Sequence, residues 1–225
     1  MQAEVAQLEA FLWKDHFNSS GYEGGWQTLQ LRSLNGELAN NFVKSPGDYQ
    51  TQNFQDTPLL AQCPYLSEVL DFFKITKTAV RLMRLDAGAV IKPHRDEDLN
   101  FEQGEVRLHI PVSTNPGLAF YLEEERLCMA EGSCWYLNLA LPHRVRNGGD
   151  TPRVHLVLDG IVNDWLRAYF RQAQHTCVLL PDPPAGRQYS LQDQRSIIAQ
   201  LRQLQTATAD KLADEMQAAL VAAGH

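Results

Sequence analysis

Cysteine is scarce in this chain. Cys63, Cys128, Cys134 and Cys177 are spread through 225 residues without a Cys-x-x-Cys pair, which excludes a disulfide-dense scaffold and a cysteine-built zinc module. Long apolar runs are also lacking, and no stretch reaches the length of a membrane-spanning helix. Positive charge is in deficit, with 20 Lys and Arg against 27 Asp and Glu, a formal net charge of −7 and a pI near 5.5. That balance speaks against broad electrostatic attachment to nucleic acid or to an anionic membrane. There is no internal repeat and no low-complexity tail. Met1 to Leu12 carries Glu4 and Glu9 where a secretory leader would carry basic residues ahead of an apolar run, so a cytoplasmic protein is expected.

What is present suits a buried core. Hydrophobic residues make up 44% of the chain, enough for a well-covered domain at this length and too many for a disordered or fibrous one. Short alternating runs dominate the centre. In Val106-Arg107-Leu108-His109-Ile110-Pro111-Val112, Arg107 and His109 share one face, and Val106, Leu108, Ile110 and Val112 share the other. Arg153-Val154-His155-Leu156-Val157-Leu158-Asp159 alternates in the same way, with Arg153 and His155 on one side. Between the two runs, Asn147-Gly148-Gly149-Asp150 reads as a hairpin turn with positive-φ positions. An antiparallel return through that turn would carry Arg153 back beside His143.

The chemistry-bearing residues fall on these strands. His94 and Asp96 flank Arg95, and on an extended strand the two flanking side chains point to one side while Arg95 points away. His143, from a distant strand, supplies a third donor. Two imidazoles and a carboxylate on one face of an octahedral ion leave three positions open, the arrangement of non-haem Fe(II) oxygenases that bind an oxo-acid and O2 together. Arg153 can hold the far carboxylate of a dicarboxylic cosubstrate such as 2-oxoglutarate through a two-point guanidinium contact. His155 reads as a satisfied interior histidine, and His16, His175 and His225 as solvent-facing. Arg84, Arg95, Arg144 and Arg146 are candidates for a substrate carboxylate, with surface ion pairing as the competing reading.

The separated ligands must converge at a barrel mouth, which predicts a mainly β fold. The expected form is a double-stranded β-helix, or cupin-like jelly roll, of eight or so strands between Thr78 and about Val162, with N-terminal and C-terminal α-helical flanks. Residues 1–165 are taken as the catalytic domain and 166–225 as a helical extension packed on it. Upstream, the pattern predicts a short amphipathic helix over residues 1–17, a strand over Trp26 to Leu31, and a helix over Pro64 to Lys74. Asn35 to Thr57 reads as a long loop or lid in which Phe42, Tyr49 and Phe54 could cover a substrate. Beyond Ser190, Ile197, Ile198, Leu201 and Leu204, then Leu212, Met216 and Leu220, give helical spacing. These helices suit either a homodimer surface or simple packing.

From Ala79 to Asp164 the chain resembles the aspartyl/asparaginyl beta-hydroxylase family of Fe(II)- and 2-oxoglutarate-dependent dioxygenases. The resemblance is carried by Arg84-Leu85-Asp86-Ala87-Gly88, Pro93-His94-Arg95-Asp96, Arg107 to Val112, Gly132-Ser133-Cys134-Trp135-Tyr136, Pro142 to Asn147, and Arg153 to Asp159. It implies that His94 and His143 bind iron, that Arg153 holds the far carboxylate of 2-oxoglutarate, and that Arg107 and His109 sit near the cosubstrate's metal-bound end. Asp96 departs from the animal enzymes, which lack a carboxylate there, and agrees with the bacterial branch near the cis-proline hydroxylases. Met83 stands where the animal enzymes have a serine. A carboxylate ligand also favours hydroxylation over halogenation, since related halogenases leave that position to chloride.

The reading is therefore a dioxygenase using Fe(II), 2-oxoglutarate and O2 to hydroxylate a C–H bond of a small-molecule substrate, an amino acid. Two alternatives stand beside it. One is hydroxylation of an aspartyl or asparaginyl side chain in a peptide or protein, for which an open groove would be the mark. The other is a non-catalytic cupin-like sensor of metal or dicarboxylate.

Overall fold

Strand alternation translates directly into the architecture. The computed structural model describes residues 1–8, 11, 13–39, 53–96, 100–173 and positions 195, 198, 202, 213, 214, 217, 218 and 220. After helix α1 (Gln2–Gln7) come strands β1 (Lys14–Asp15), β2 (Tyr22–Glu23), β3 (Trp26–Leu34) and β4 (Phe54–Asp56), followed by helix α2 (Pro64–Phe72). Eight strands then follow: β5 (Thr76–Leu85), β6 (Val90–His94), β7 (Glu105–Ser113), β8 (Leu118–Leu122), β9 (Glu125–Leu127), β10 (Trp135–Tyr136), β11 (His143–Asn147) and β12 (Arg153–Ile161). Helix α3 (Asp164–Gln172) closes the set.

The strands form two antiparallel sheets. The larger runs β1-β3-β5-β12-β7-β10 with β4 on the free side of β3, and the smaller runs β2-β6-β11-β8-β9. One face of the large sheet, carrying Val80, Leu82, Leu108, Leu156 and Leu158, packs with Leu66 and Leu70 of α2 and Leu166 of α3. Its other face, with Met83, Leu85 and Val157, packs on Ile91, Phe120, Leu139 and Val145 from the small-sheet side. The mainly β jelly-roll architecture is thus as expected. Because the large sheet is covered on both faces, β12 is buried along nearly its whole length. Each fully buried leucine of this kind contributes about 1.5–3 kcal/mol.

The helices are positioned by specific end contacts. α2 begins with Pro64, whose missing N–H costs nothing in a first turn. The Glu4 carboxylate of α1 accepts hydrogen bonds from the Tyr65 and Leu66 amides at 2.7 and 2.9 Å, supplying the cap that Cys63 does not. Asn163 caps α3 by accepting from the Leu166 amide at 3.0 Å.

Several expectations need correction. The N-terminal helix ends at Gln7, and Lys14–Asp15 instead pairs with β3. The segment after Asn147 is not a hairpin: β11 and β12 lie in different sheets, so the connection crosses from one layer to the other. Positive φ occurs at neither Gly148 nor Gly149. Gly149 is needed for closeness, since a Cβ there would meet Asn115 Oδ1 at 2.0 Å.

The chain divides into two compact units, Met1–His175 and Thr176–His225. The expected division after residue 165 falls within α3, which belongs to the first unit. In the second unit Ile198, Ala213 and Leu220 form a small buried cluster. Much of the expected lid, residues 40–52, and most of the helical positions proposed for dimerisation lie outside the described residues, as do His175 and His225.

Candidate metal centre and anion pocket

The two sheets face each other across a cavity of about 360 Å³. All six residues singled out from the sequence, His94, Asp96, Arg107, His109, His143 and Arg153, line it. β6 and β11 pair so that His94 lies opposite His143. The strand ends at His94, and the chain then turns inward with the Asp96 amide donating to Leu139 O at 2.8 Å. One donor atom from each of His94, Asp96 and His143 lies within 4.8 Å of the others. Two nitrogens and one oxygen at this spacing fit the facial half of an octahedral Fe(II) shell.

The imidazoles are oriented for that task. His94 Nδ1 donates to Lys92 O at 2.8 Å and His143 Nδ1 to Leu141 O at 3.1 Å. A carbonyl only accepts, so each Nδ1 carries the proton and each Nε2 keeps a lone pair for a metal. Burial, followed by the neighbouring charges of His94 and Arg107, lowers the His143 pKa and keeps the ring neutral.

Asp96 is braced from behind. Its Oδ2 accepts from Arg107 Nη1 at 2.6 Å. The rest of that guanidinium grips Asp159, Nε to Oδ1 at 2.6 Å and Nη2 to Oδ2 at 2.9 Å. Arg81 Nη2 also donates to Asp159 Oδ2, at 2.9 Å. Burial opposes charge on all of these groups, and the ion pairs decide the outcome. Arg107 is held above its ordinary pKa by Asp159 and Asp96, and Asp159 is drawn down to about 2 by its two arginines. Arg81 has the weaker share of Asp159, and burial leaves its pKa lowered.

Arg153 differs from these. It is fully buried, and among the described residues its guanidinium has no carboxylate partner and its Nε no hydrogen-bond partner. Burial alone lowers its pKa to about 10, so it remains a cation at neutral pH. A buried guanidinium left unpaired is costly unless an anion completes it. Because the 147–153 segment crosses between layers, Arg153 reaches the cavity from the end of β12 away from Asp159, rather than from a hairpin beside His143.

His109 and His155 form a buried pair with their Nδ1 atoms 3.3 Å apart. Among the described residues neither Nε2 has a partner, so His155 is interior as expected but only half satisfied. Burial and nearby Arg153 keep both rings neutral, with Arg107 adding to the effect at His109.

Among the cavity residues that the sequence did not single out are His16, Arg81 and Asp159. His16 is not solvent-facing. Its amide donates to Trp26 O at 2.8 Å, its ring stacks on Trp26 at 3.6 Å between centroids, and burial lowers its pKa to about 3. The signal for the other two was available, since Arg81 and Asp159 are charged positions within otherwise apolar strand runs. Of the four arginines suggested for substrate, only Arg95 lines the cavity. Arg84 pairs with Asp86 at 2.9 Å, and Arg144 lies over the Tyr121 ring.

The chain is 29% identical over 153 residues to an L-proline cis-4-hydroxylase of Rhizobium meliloti (strain 1021), covering 67% of this chain and 53% of that protein. It is 26% identical over 140 residues to an L-proline cis-3-hydroxylase of a Streptomyces species, covering 60% and 47%. The chain thus spans about half the length of these relatives. A 2OG-Fe(II) oxygenase family oxidoreductase from Burkholderia pseudomallei superposes with a TM-score of 0.45 at 15% identity, over 70% of this chain and 77% of that one. The family model for aspartyl/asparaginyl beta-hydroxylase matches residues 1–162, and the chain belongs to that family.

Proposed function

We propose that this protein is an Fe(II)- and 2-oxoglutarate-dependent dioxygenase that hydroxylates an unactivated C–H bond of an amino acid. The observation that carries the reading is the coexistence, in one cavity, of a three-donor His94–Asp96–His143 set and a buried Arg153 with no counterion among the described residues. His94 and His143 would ligate through Nε2 and Asp96 through a carboxylate oxygen, while Arg107 fixes the orientation of that carboxylate. Arg153 would take the far carboxylate of 2-oxoglutarate. His109, with a free Nε2 in the cavity, is placed to contact the cosubstrate's other end. The bound metal and oxo-acid supply an O2-derived oxidant strong enough to take hydrogen from carbon, with succinate and CO2 as coproducts. The protein's own part is to bind, orient and exclude water.

The Asp96 ligand and the similarity to proline hydroxylases support a small amino acid over a peptide side chain. Succinate release from 2-oxoglutarate, with Fe(II) and air but no added substrate, tests the reading. Slow turnover that disappears in His143→Ala, with the variant still folded by circular dichroism, is expected. No turnover in the folded, iron-loaded protein would move it to the class of non-catalytic metal or dicarboxylate sensors, and an unchanged rate in the variant would contradict His143 as a metal ligand.

A further inference from the structure

Two histidines share a hydrogen bond at the cavity wall, and only one of them can reach a ligand. His109 on β7 stands opposite Val157 of β12, and His155 lies two residues from Val157 on the same face of β12. The two imidazoles are therefore diagonal neighbours across the ladder, with their Nδ1 atoms 3.3 Å apart and their ring planes at 76°. Phe120, from the small sheet, stands edge-on to His109 at 6.2 Å. His109 lines the cavity. His155 does not, and it is fully buried, so it can act on a bound ligand only through His109.

A contact between two ring nitrogens needs one N–H and one lone pair. Burial and nearby Arg153 leave each ring a single proton. Asp159, whose charge reaches His109, is already taken up by Arg107 and Arg81 and does not choose the tautomer. The two protons are thus coupled. If His155 donates from Nδ1, His109 carries its own proton on Nε2 and offers a donor there. If His109 donates instead, its Nε2 is a bare lone pair. A carboxylate only accepts, so an anion in the cavity pairs with the first arrangement and is repelled by the second. The first leaves a lone pair on His155 Nε2, whereas the second leaves an N–H there with no acceptor among the described residues. Orphaned buried N–H groups are the rarer of the two in native proteins.

We propose that His155 is a positioning residue: its Nδ1–H donates to His109 Nδ1 and so fixes His109 as an Nε2–H donor to a carboxylate of the oxo-acid in the cavity. This rests on the dioxygenase reading and gives His155 a part in cosubstrate binding that it plays without touching the cosubstrate. A histidine kept only for packing would leave the tautomer of His109 open.

The test uses full-length protein carrying isotope-labelled histidine and loaded with Zn(II), a diamagnetic stand-in for Fe(II). Long-range proton–nitrogen NMR reads which ring nitrogen of His109 and His155 is protonated, with signals assigned by their loss in His109→Gln and His155→Asn. With 2-oxoglutarate bound, His155 should carry its proton on Nδ1 and His109 on Nε2. Calorimetry on the same Zn(II) protein should show 2-oxoglutarate bound about tenfold more weakly in His155→Leu, the lower end for loss of an outer partner of a ligand. His155→Asn, whose amide can still donate to His109, should keep most of the affinity. The wild-type spectrum and His155→Asn carry the test if His155→Leu does not fold. His109 protonated on Nδ1 in the complex, wild-type affinity in His155→Leu, or equal losses in the two variants would overturn the assignment. No 2-oxoglutarate binding to metal-loaded wild type would strike the dioxygenase reading and this role with it, whereas binding with the opposite tautomer would strike this role alone.

Discussion

Arg107 and Asp159 form a two-point ion pair, and the remaining nitrogen of the same guanidinium holds Asp96 Oδ2 at 2.6 Å. A proposed metal ligand on the small-sheet side is thereby tied to a buried carboxylate in the middle of the large sheet. The ligand is set by the sheet rather than by the segment that carries it.

That brace predicts a metal-affinity phenotype. Replacing Arg107 with Met leaves Asp159 its contact with Arg81 but frees the Asp96 carboxylate to rotate. Affinity for Co(II) or Mn(II), read by anaerobic titration, should fall about ten- to one-hundredfold, the usual effect of removing an outer partner of a ligand. An affinity equal to wild type in a folded variant would mean that Asp96 is positioned by other contacts.

Arg153 should behave in an unusual way. Most buried arginines are paired, and losing one strands a carboxylate; here no described carboxylate is stranded, because none is present. Arg153→Met should therefore leave the melting temperature of the ligand-free protein unchanged or higher, since it removes an uncompensated buried charge. The same variant should bind 2-oxoglutarate about a hundredfold more weakly. A large loss of stability with unchanged cosubstrate affinity would contradict the assignment.

Stability of the metal-free protein should decline as the pH falls below the ordinary histidine value. His109 and His155 are fully buried, and burial, with Arg107 and Arg153 acting at His109 and Arg153 at His155, places their folded pKa values well below 6.5. Below 6.5 the unfolded chain takes up protons that the folded chain refuses, so stability is complete above that value and falls beneath it. Each such proton contributes a slope of up to about 1.4 kcal/mol per pH unit. Asp159 acts in the same direction at lower pH: its contribution is present above 3.8 and lost as pH falls through about 2. Urea unfolding from about pH 7.5 to about pH 5.5 should show a falling midpoint, and a flat profile would count against two neutral buried histidines.

Asn147 should matter more than its place at a strand end suggests. Its Nδ2 donates to Leu85 O, Asp86 O and Thr151 O, and its Oδ1 accepts from Asn115 and from the Gly149 amide. The side chain is fully buried. Asn147→Ala should destabilise the protein by about 2–4 kcal/mol through several unpaired buried groups, read as a lower denaturant midpoint. A change below about 1 kcal/mol would mean that water replaces these bonds.

The sequence made the barrel legible because strands with one polar and one apolar face follow a period of two. The six site residues stand out as polar members of such runs or as neighbours of their ends. Arg81 and Asp159 follow the same rule, yet a charge on a strand does not reveal its partner, which here comes from another strand. His16 was hidden for a different reason. Its place depends on the two-residue pairing of Lys14 and Asp15 with β3, too short to leave a periodic trace. The 147–153 segment misled because Asn-Gly-Gly suits a hairpin, whereas here the glycines permit close approach to the Asn115–Gly117 turn. Turn chemistry does not say which sheet the next strand will join.

The most direct measurement is the visible charge-transfer band formed when Fe(II) and 2-oxoglutarate are added anaerobically to the purified protein, with His94→Ala alongside. The account predicts a band in wild type and none in the folded variant. No band in wild type with iron bound, or an equal band in the variant, would contradict a His94–Asp96–His143 centre that holds the oxo-acid.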